Sequence, residues 1–136
     1  MKVKVAASAV ALGLVLATLR LLAHHSFAAE FDAGKPLKMN GVVTKIEWSN
    51  PHTYFYVDVT QPDGQVVNWG MEMGSPNGLM RQGWTRNTMK VGDEVSVEGS
   101  QAKDGTFVGN ARAVTLTATG KRLFAASSQA DTPPQH

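Results

Sequence analysis

Hydrophobic and polar residues alternate along much of residues 38–124, and an alternation with a period of two predicts β-strands. The clearest example is HTYFYVDVT, residues 52–60, which we take as strand 2. One face of this predicted strand is mainly apolar: Thr53, Phe55, Val57 and Val59. The opposite face carries ring and acidic side chains: His52, Tyr54, Tyr56 and Asp58. We therefore expect strand 2 to bury one face and to expose the other.

Two further strands are predicted on either side of strand 2. NGVVTKIEWSN, residues 40–50, predicts strand 1, which Asn50 and Pro51 end. Four of its side chains should point the same way: Val42, Thr44, Ile46 and Trp48. QVVNWGMEM, residues 65–73, predicts strand 3 beyond the turn QPDG. One face of strand 3 holds Val67, Trp69, Met71 and Met73, while Asn68 and Glu72 have the parity of the face that holds Tyr54.

The hydrophobic period changes after strand 3, within GSPNGLMRQGW. Ser75 is placed to cap a helix, Pro76 suits the first helical position, and Gly83 is a plausible stop. We expect one short helix over Leu79 and Met80. Strand 4 then follows a turn at residues 92–93, and strand 5 spans about residues 107–117 after a hairpin turn.

The order of three strands, a helix and two strands indicates an all-β fold. It is the order of the OB-fold, a small five-stranded, partly open barrel with one short helix between strands 3 and 4. Another small barrel or a five-stranded sandwich is the alternative. Residues 24–37 lack periodicity and are interpreted as an N-terminal arm, residues 38–124 as the OB-like domain, and residues 125–136 as a disordered tail.

The first 23 residues have the layout of a signal peptide. Two lysines precede a charge-free run of 15 residues, 5–19, which is short for a membrane-spanning helix. Cleavage after Ala23 would make His24 the new N-terminus, whereas cleavage after Ala28 fits the preference for small residues better and removes His24 and His25. We expect a periplasmic or secreted protein, attached to a membrane only if this segment stays uncleaved.

Charge and cysteine content narrow the function classes. Without residues 1–23 the chain has ten Lys and Arg against eleven Asp and Glu, a net charge of −1. The isoelectric point of the whole chain, about 9, therefore comes mostly from residues 1–23. It does not indicate a basic face on the domain, so we expect no nucleic-acid partner. The chain has no cysteine, which excludes disulfides and thiolate metal ligands.

Four blocks of sequence resemble a known family: AHHSFAAEFD, WSNPH, NWGMEMGSPNGLMRQGW and MKVGDEVSVEGSQAKDG. They are similar to the domain-of-unknown-function family numbered 6152, small exported bacterial proteins. The resemblance covers roughly residues 23–118 and implies a secreted or periplasmic all-β domain, but it implies no activity. Met71 and Met73 are not required by the family pattern, whereas Glu72 and the GSPN after it fit that pattern.

The histidines are the strongest candidates for metal chemistry. If the chain is cut after Ala23, the α-amino group and imidazole of His24 can chelate one Cu(II) ion, because nitrogen-rich sites favour Cu(II) or Ni(II). His52 is the best third ligand, and His25 or Glu72 would assist. The alternative is that His24 and His25 form only a polar junction or an arm that packs on the barrel.

Two other groups of residues are candidates for binding. Trp69, Met71 and Met73 form either a Cu(I) site or part of the core. The outer face of strand 2, with Tyr54, Tyr56, Asp58 and Asn68, could bind a ligand, as OB-folds often do on strands 2 and 3, or it is a solvated face or a dimer contact. No catalytic constellation stands out, so we expect a binding module rather than an enzyme. The alternative is an interaction or scaffold domain for another envelope protein, without a metal.

Overall fold

Six strands and one short helix make up the regular structure of residues 30–126, the part of the chain that the computed structural model describes. The strands are β1 (Phe31–Glu47), β2 (Tyr54–Thr60), β3 (Val66–Glu72), β4 (Glu94–Ala102), β5 (Val108–Leu116) and β6 (Lys121–Phe124). Helix α1 (Pro76–Arg81) lies between β3 and β4. The prediction of an all-β chain with one short helix in this place is confirmed. The sixth strand was not predicted.

The strands pair in a way that returns to its starting point. Their order is β3-β2-β1-β4-β5-β6, with antiparallel neighbours throughout. In addition, β3 pairs in parallel with β5 over residues 70–72 and 108–110. The pairing therefore runs from β3 through β2, β1, β4 and β5 and back to β3.

Strand β6 continues the edge of β5 beyond its contact with β3. It pairs with residues 113–116 of β5. The residues after β6 then bond both to β5 and to the loop that follows β3. The N–H of Ala125 donates to the carbonyl of Arg112 at 2.8 Å, and the N–H of Gly74 donates to the carbonyl of Ala125 at 2.8 Å. Ala125 and Ala126 are buried, although both fall in the segment that the sequence assigned to a tail.

Strand β1 begins earlier than predicted and contains a bulge that the sequence does not indicate. It begins at Phe31, so that it includes residues 31–37 of the expected arm, because residues 36–42 bond to β4 through the backbone and need no hydrophobic alternation. A bulge between Val43 and Lys45 then shifts the register against β2. Val43 is 1% exposed and Val42 is 41% exposed, whereas Ile46 packs against the core, so the prediction that Val42 and Ile46 point the same way was wrong.

The buried side chains of the core confirm the alternation predicted for strands 2 and 3. Thr53, Phe55, Val57 and Val59 are all buried. Trp69, Met71 and Met73 are buried in the same apolar cluster, which assigns them to core packing. Burying side chains of this size contributes roughly 1.5–3 kcal/mol each.

Helix α1 closes over the core as the sequence predicts. The side chain of Ser75 caps it by accepting a hydrogen bond from the N–H of Gly78 at 3.2 Å, and Pro76 is at its start. Leu79 is fully buried, whereas Met80 points to solvent. Gly83 follows the helix with a φ of 95°, a left-handed conformation that glycine adopts at little cost.

Candidate functional site on the outer face of strand β2

Three polar side chains meet where β2 begins and β3 ends. Tyr54 pairs with Glu72 across the two antiparallel strands, and the period of two places His52 on the same face as Tyr54. The Tyr54 hydroxyl donates to Oε2 of Glu72 at 2.5 Å. Nδ1 of His52 lies 3.0 Å from Oε1 of the same carboxylate. We call these three residues the His52–Glu72–Tyr54 triad.

The triad combines a buried carboxylate with an accessible imidazole. The side chain of Glu72 is 7% exposed and that of His52 is 36% exposed. Burial of the phenol, followed by its hydrogen bond to the Glu72 carboxylate, raises the pKa of Tyr54 well above its usual range. Tyr54 therefore remains a hydrogen-bond donor to Glu72 throughout the physiological pH range.

The rest of the outer face consists of two further polar groups. The Tyr56 hydroxyl donates to Oε2 of Glu47 at 3.4 Å, and Lys45 forms an ion pair with Oε1 of Glu47 at 2.5 Å. Further along β2, Nδ2 of Asn68 donates to Oδ1 of Asp58 at 2.8 Å and to the hydroxyl of Thr44 at 3.0 Å. The predicted ligand-binding face, Tyr54, Tyr56, Asp58 and Asn68, thus does share one surface, and its polar groups bond mainly to each other.

The three carboxylates of this surface each contact different polar side chains. Glu72 contacts His52 and Tyr54, Glu47 contacts Lys45 and Tyr56, and Asp58 contacts Asn68. The hydrogen bond from Lys45 and, to a smaller extent, its charge lower the pKa of the exposed Glu47 carboxyl.

Some members of this surface were missed by the sequence analysis. Thr44 and Lys45 reach it because the bulge turns β1, and a period of two gave no signal for this. Asn110 pairs in register with Glu72 across β3 and β5, is 2% exposed, and has an Nδ2 without a hydrogen-bond partner within residues 30–126. Asn110 lies within strand 5 as an isolated polar residue, and only the parallel pairing of β5 with β3 reveals its place opposite Glu72.

Two of the four predicted metal ligands lie within the described residues. His24 and His25 lie outside the described residues, and His52 is the one histidine within residues 30–126. Within that range no group of three or more His, Cys, Asp or Glu side chains is close enough together to hold a metal ion. What the structure brings together is His52 and Glu72, two of the four predicted ligands.

No helix within residues 30–126 has both the length and the apolar character required to cross a membrane. The fold and the site together define a small all-β domain with a histidine–carboxylate–tyrosine triad on its outer surface. The chain belongs to the Family of unknown function (DUF6152), whose model matches residues 11–111. No curated protein and no solved structure is similar enough to the chain to count as a match.

Proposed function

We propose that the chain is an exported binding module with an OB-like barrel, and that it holds a copper ion at the triad. The barrel is supported by the pairing that returns from β5 to β3, and by the helix that follows β3. The triad lies on β2 and β3, the strands on which OB-folds commonly bind their ligands. Export is supported only by the layout of residues 1–23.

The proposed ligands are the α-amino group and imidazole of His24, once the chain is cut after Ala23, together with the ring of His52. One observation carries this proposal. Phe31 pairs with Ala102 of β4, and two residues away Ser100 pairs with Asn110 of β5, which in turn pairs with Glu72. Neighbouring strands lie about 5 Å apart, so three strand spacings, roughly 15 Å, separate the start of β1 from Glu72.

The beginning of the described chain therefore lies at the same end of the sheet as the triad. His24 precedes Glu30 by six residues, and an extended chain of that length spans about 20 Å. The arm is thus long enough for His24 to reach the accessible ring of His52. Three nitrogen donors of this kind favour Cu(II) among the divalent first-row metals.

Isothermal titration with Cu(II) tests the proposal on two forms of the protein. The form that begins at His24 should bind about one ion per chain, and the form that begins at Ala29 should lose this binding. In the longer form, His24→Ala and His52→Ala should each weaken binding by at least tenfold. His136→Ala is the matched control, because it removes a histidine that has no proposed role.

Two results would contradict copper binding at this site. One is equal affinity in the forms that begin at His24 and Ala29. The other is unchanged affinity in both His24→Ala and His52→Ala. A protein that binds no copper but loses an envelope partner upon Tyr56→Ala would instead support the alternative, an interaction domain that uses the outer face of β2.

A further inference from the structure

The contacts of Glu72 bear on which ring nitrogen of His52 carries a proton. A carboxylate oxygen cannot donate a hydrogen bond, so the 3.0 Å ion-pair contact between Oε1 of Glu72 and Nδ1 of His52 is attractive only when Nδ1 carries a proton. In the neutral ring the other nitrogen, Nε2, then carries the free electron pair. The ion-pair contact of His52 with Glu72 is through Nδ1, and the His52 side chain is 36% exposed.

We infer that Glu72 is a positioning residue that fixes the Nδ1–H tautomer of His52, so that the site takes a metal ion through Nε2. Glu72 itself is then not a ligand, in contrast to the sequence prediction. The identity of the metal rests on the proposed function, but the tautomer does not. The ligand class is a first-row divalent ion that accepts a neutral imidazole nitrogen.

Tyr54 makes the alternative, direct binding of metal by Glu72, unfavourable. Both carboxylate oxygens are already engaged, Oε1 by His52 and Oε2 by the Tyr54 hydroxyl at 2.5 Å. A metal bound to Oε2 would displace the Tyr54 hydroxyl. A half-buried hydroxyl that loses its acceptor is costly, so the existing contacts keep Glu72 behind His52 rather than beside the metal.

Nitrogen NMR of the metal-free protein that begins at Ala29 tests the inference without copper. Long-range ¹H–¹⁵N correlation spectra would be recorded at about pH 8.5, above the ordinary range of histidine pKa values. We expect His52 in the wild-type protein to show a protonated Nδ1 and an unprotonated Nε2. In Glu72→Ala the ring should shift towards the Nε2–H tautomer, which free histidine prefers.

Glu47→Ala is the matched control for the tautomer. Glu47 is a carboxylate on the same surface that accepts a hydrogen bond from a tyrosine, but it does not contact His52. Its removal should leave the His52 spectrum unchanged. An Nε2–H tautomer in the wild-type protein would overturn the inference even if Glu72→Ala failed to fold, and so would an unchanged spectrum in a folded Glu72→Ala.

Copper titration of Glu72→Ala, in the form that begins at His24, separates this inference from the proposed function. Loss of a residue that orients a histidine ligand typically weakens metal binding by about 10- to 100-fold. A wild-type protein that binds no copper but shows the Nδ1–H tautomer would overturn the proposed function and support the positioning role. Copper binding that is as tight in Glu72→Ala as in the wild type would overturn the positioning role alone.

Discussion

The Tyr54 hydroxyl offers the most direct test of how the triad is held together. Tyr54→Phe removes one oxygen, which donates to Oε2 of Glu72 at 2.5 Å, and leaves the ring in place. Because the Glu72 side chain is only 7% exposed, water cannot easily replace the lost donor. Hydrogen bonds to charged groups contribute about 1.5–3 kcal/mol, and we expect the free energy of unfolding to fall by that amount.

The loss should be visible as a change in melting temperature. The described domain comprises residues 30–126, and for a domain of this size 1 kcal/mol corresponds to about 4–8 °C. A decrease on the order of 10 °C is therefore expected for Tyr54→Phe. Thermal melts and urea titrations followed by circular dichroism would measure it, with an unchanged dependence on urea as the sign that the native structure is retained.

Tyr56→Phe is the matched control for this prediction. The Tyr56 hydroxyl lies on the same strand face and donates to Glu47 over 3.4 Å, a long hydrogen bond. The Glu47 side chain is 40% exposed, so water can take the place of the hydroxyl. We expect little or no loss of stability. Equal losses in the two variants would refute the reasoning, because burial of the acceptor would then not determine the contribution of the hydroxyl.

Three further predictions concern the fold and its pH dependence. A Cβ added at Gly99 would lie 1.9 Å from the carbonyl oxygen of Asn110, so Gly99→Ala should lower the free energy of unfolding by about 1–3 kcal/mol or more, as expected for an overpacked site. The exposed Gly34→Ala should not, and similar free energies from urea titrations of the two variants would contradict this. Ser75→Ala removes the helix cap and should cost about 1 kcal/mol in urea titrations, which Ser75→Asp should largely restore; a loss shared by both would exclude capping as the cause. The pKa of Tyr54 in the folded protein lies above its ordinary value of about 10, so the folded protein keeps the phenol proton at a pH at which the unfolded chain loses it. That contribution is fully present below about pH 10 and is lost as the pH rises further, so stability should fall less steeply between about pH 9.5 and 11.5 in Tyr54→Phe than in the wild type, and parallel profiles would argue against it.

Local sequence signals were sufficient to predict the helix and the orientation of two strands. Ser75, Pro76 and Gly83 each have a conformational preference that acts within a few residues, and the structure uses each one as expected. The alternation of residues 52–60 likewise depends only on which side chains enter the core. It placed Tyr54 correctly, and the parity of residue 72 placed Glu72 opposite it.

Features that depend on distant backbone contacts could not be predicted in the same way. Strand β1 has a bulge after Val43, in its pairing with β2, and extends to Phe31 through its pairing with β4. These backbone contacts do not produce a periodic pattern of hydrophobic residues in the sequence. Strand β6 is short and forms against the free edge of β5. The deep burial of Glu72 on an outward face was also invisible, because alternation indicates the side on which a residue lies but not what covers it.

The burial of Glu72 indicates that the triad contributes little net stability to the fold. Removing a carboxylate from water is costly, and its two partners, a phenol and an imidazole, compensate for this less well than a lysine or arginine would. Replacing both members of a buried polar pair by apolar groups is often neutral or stabilising, whereas removing one member is not. We therefore expect the double variant Tyr54→Phe, Glu72→Leu to recover the stability that Tyr54→Phe loses, as measured by urea titration of both variants and of Glu72→Leu alone. A double variant that is less stable than Tyr54→Phe would instead assign the triad a mainly structural role.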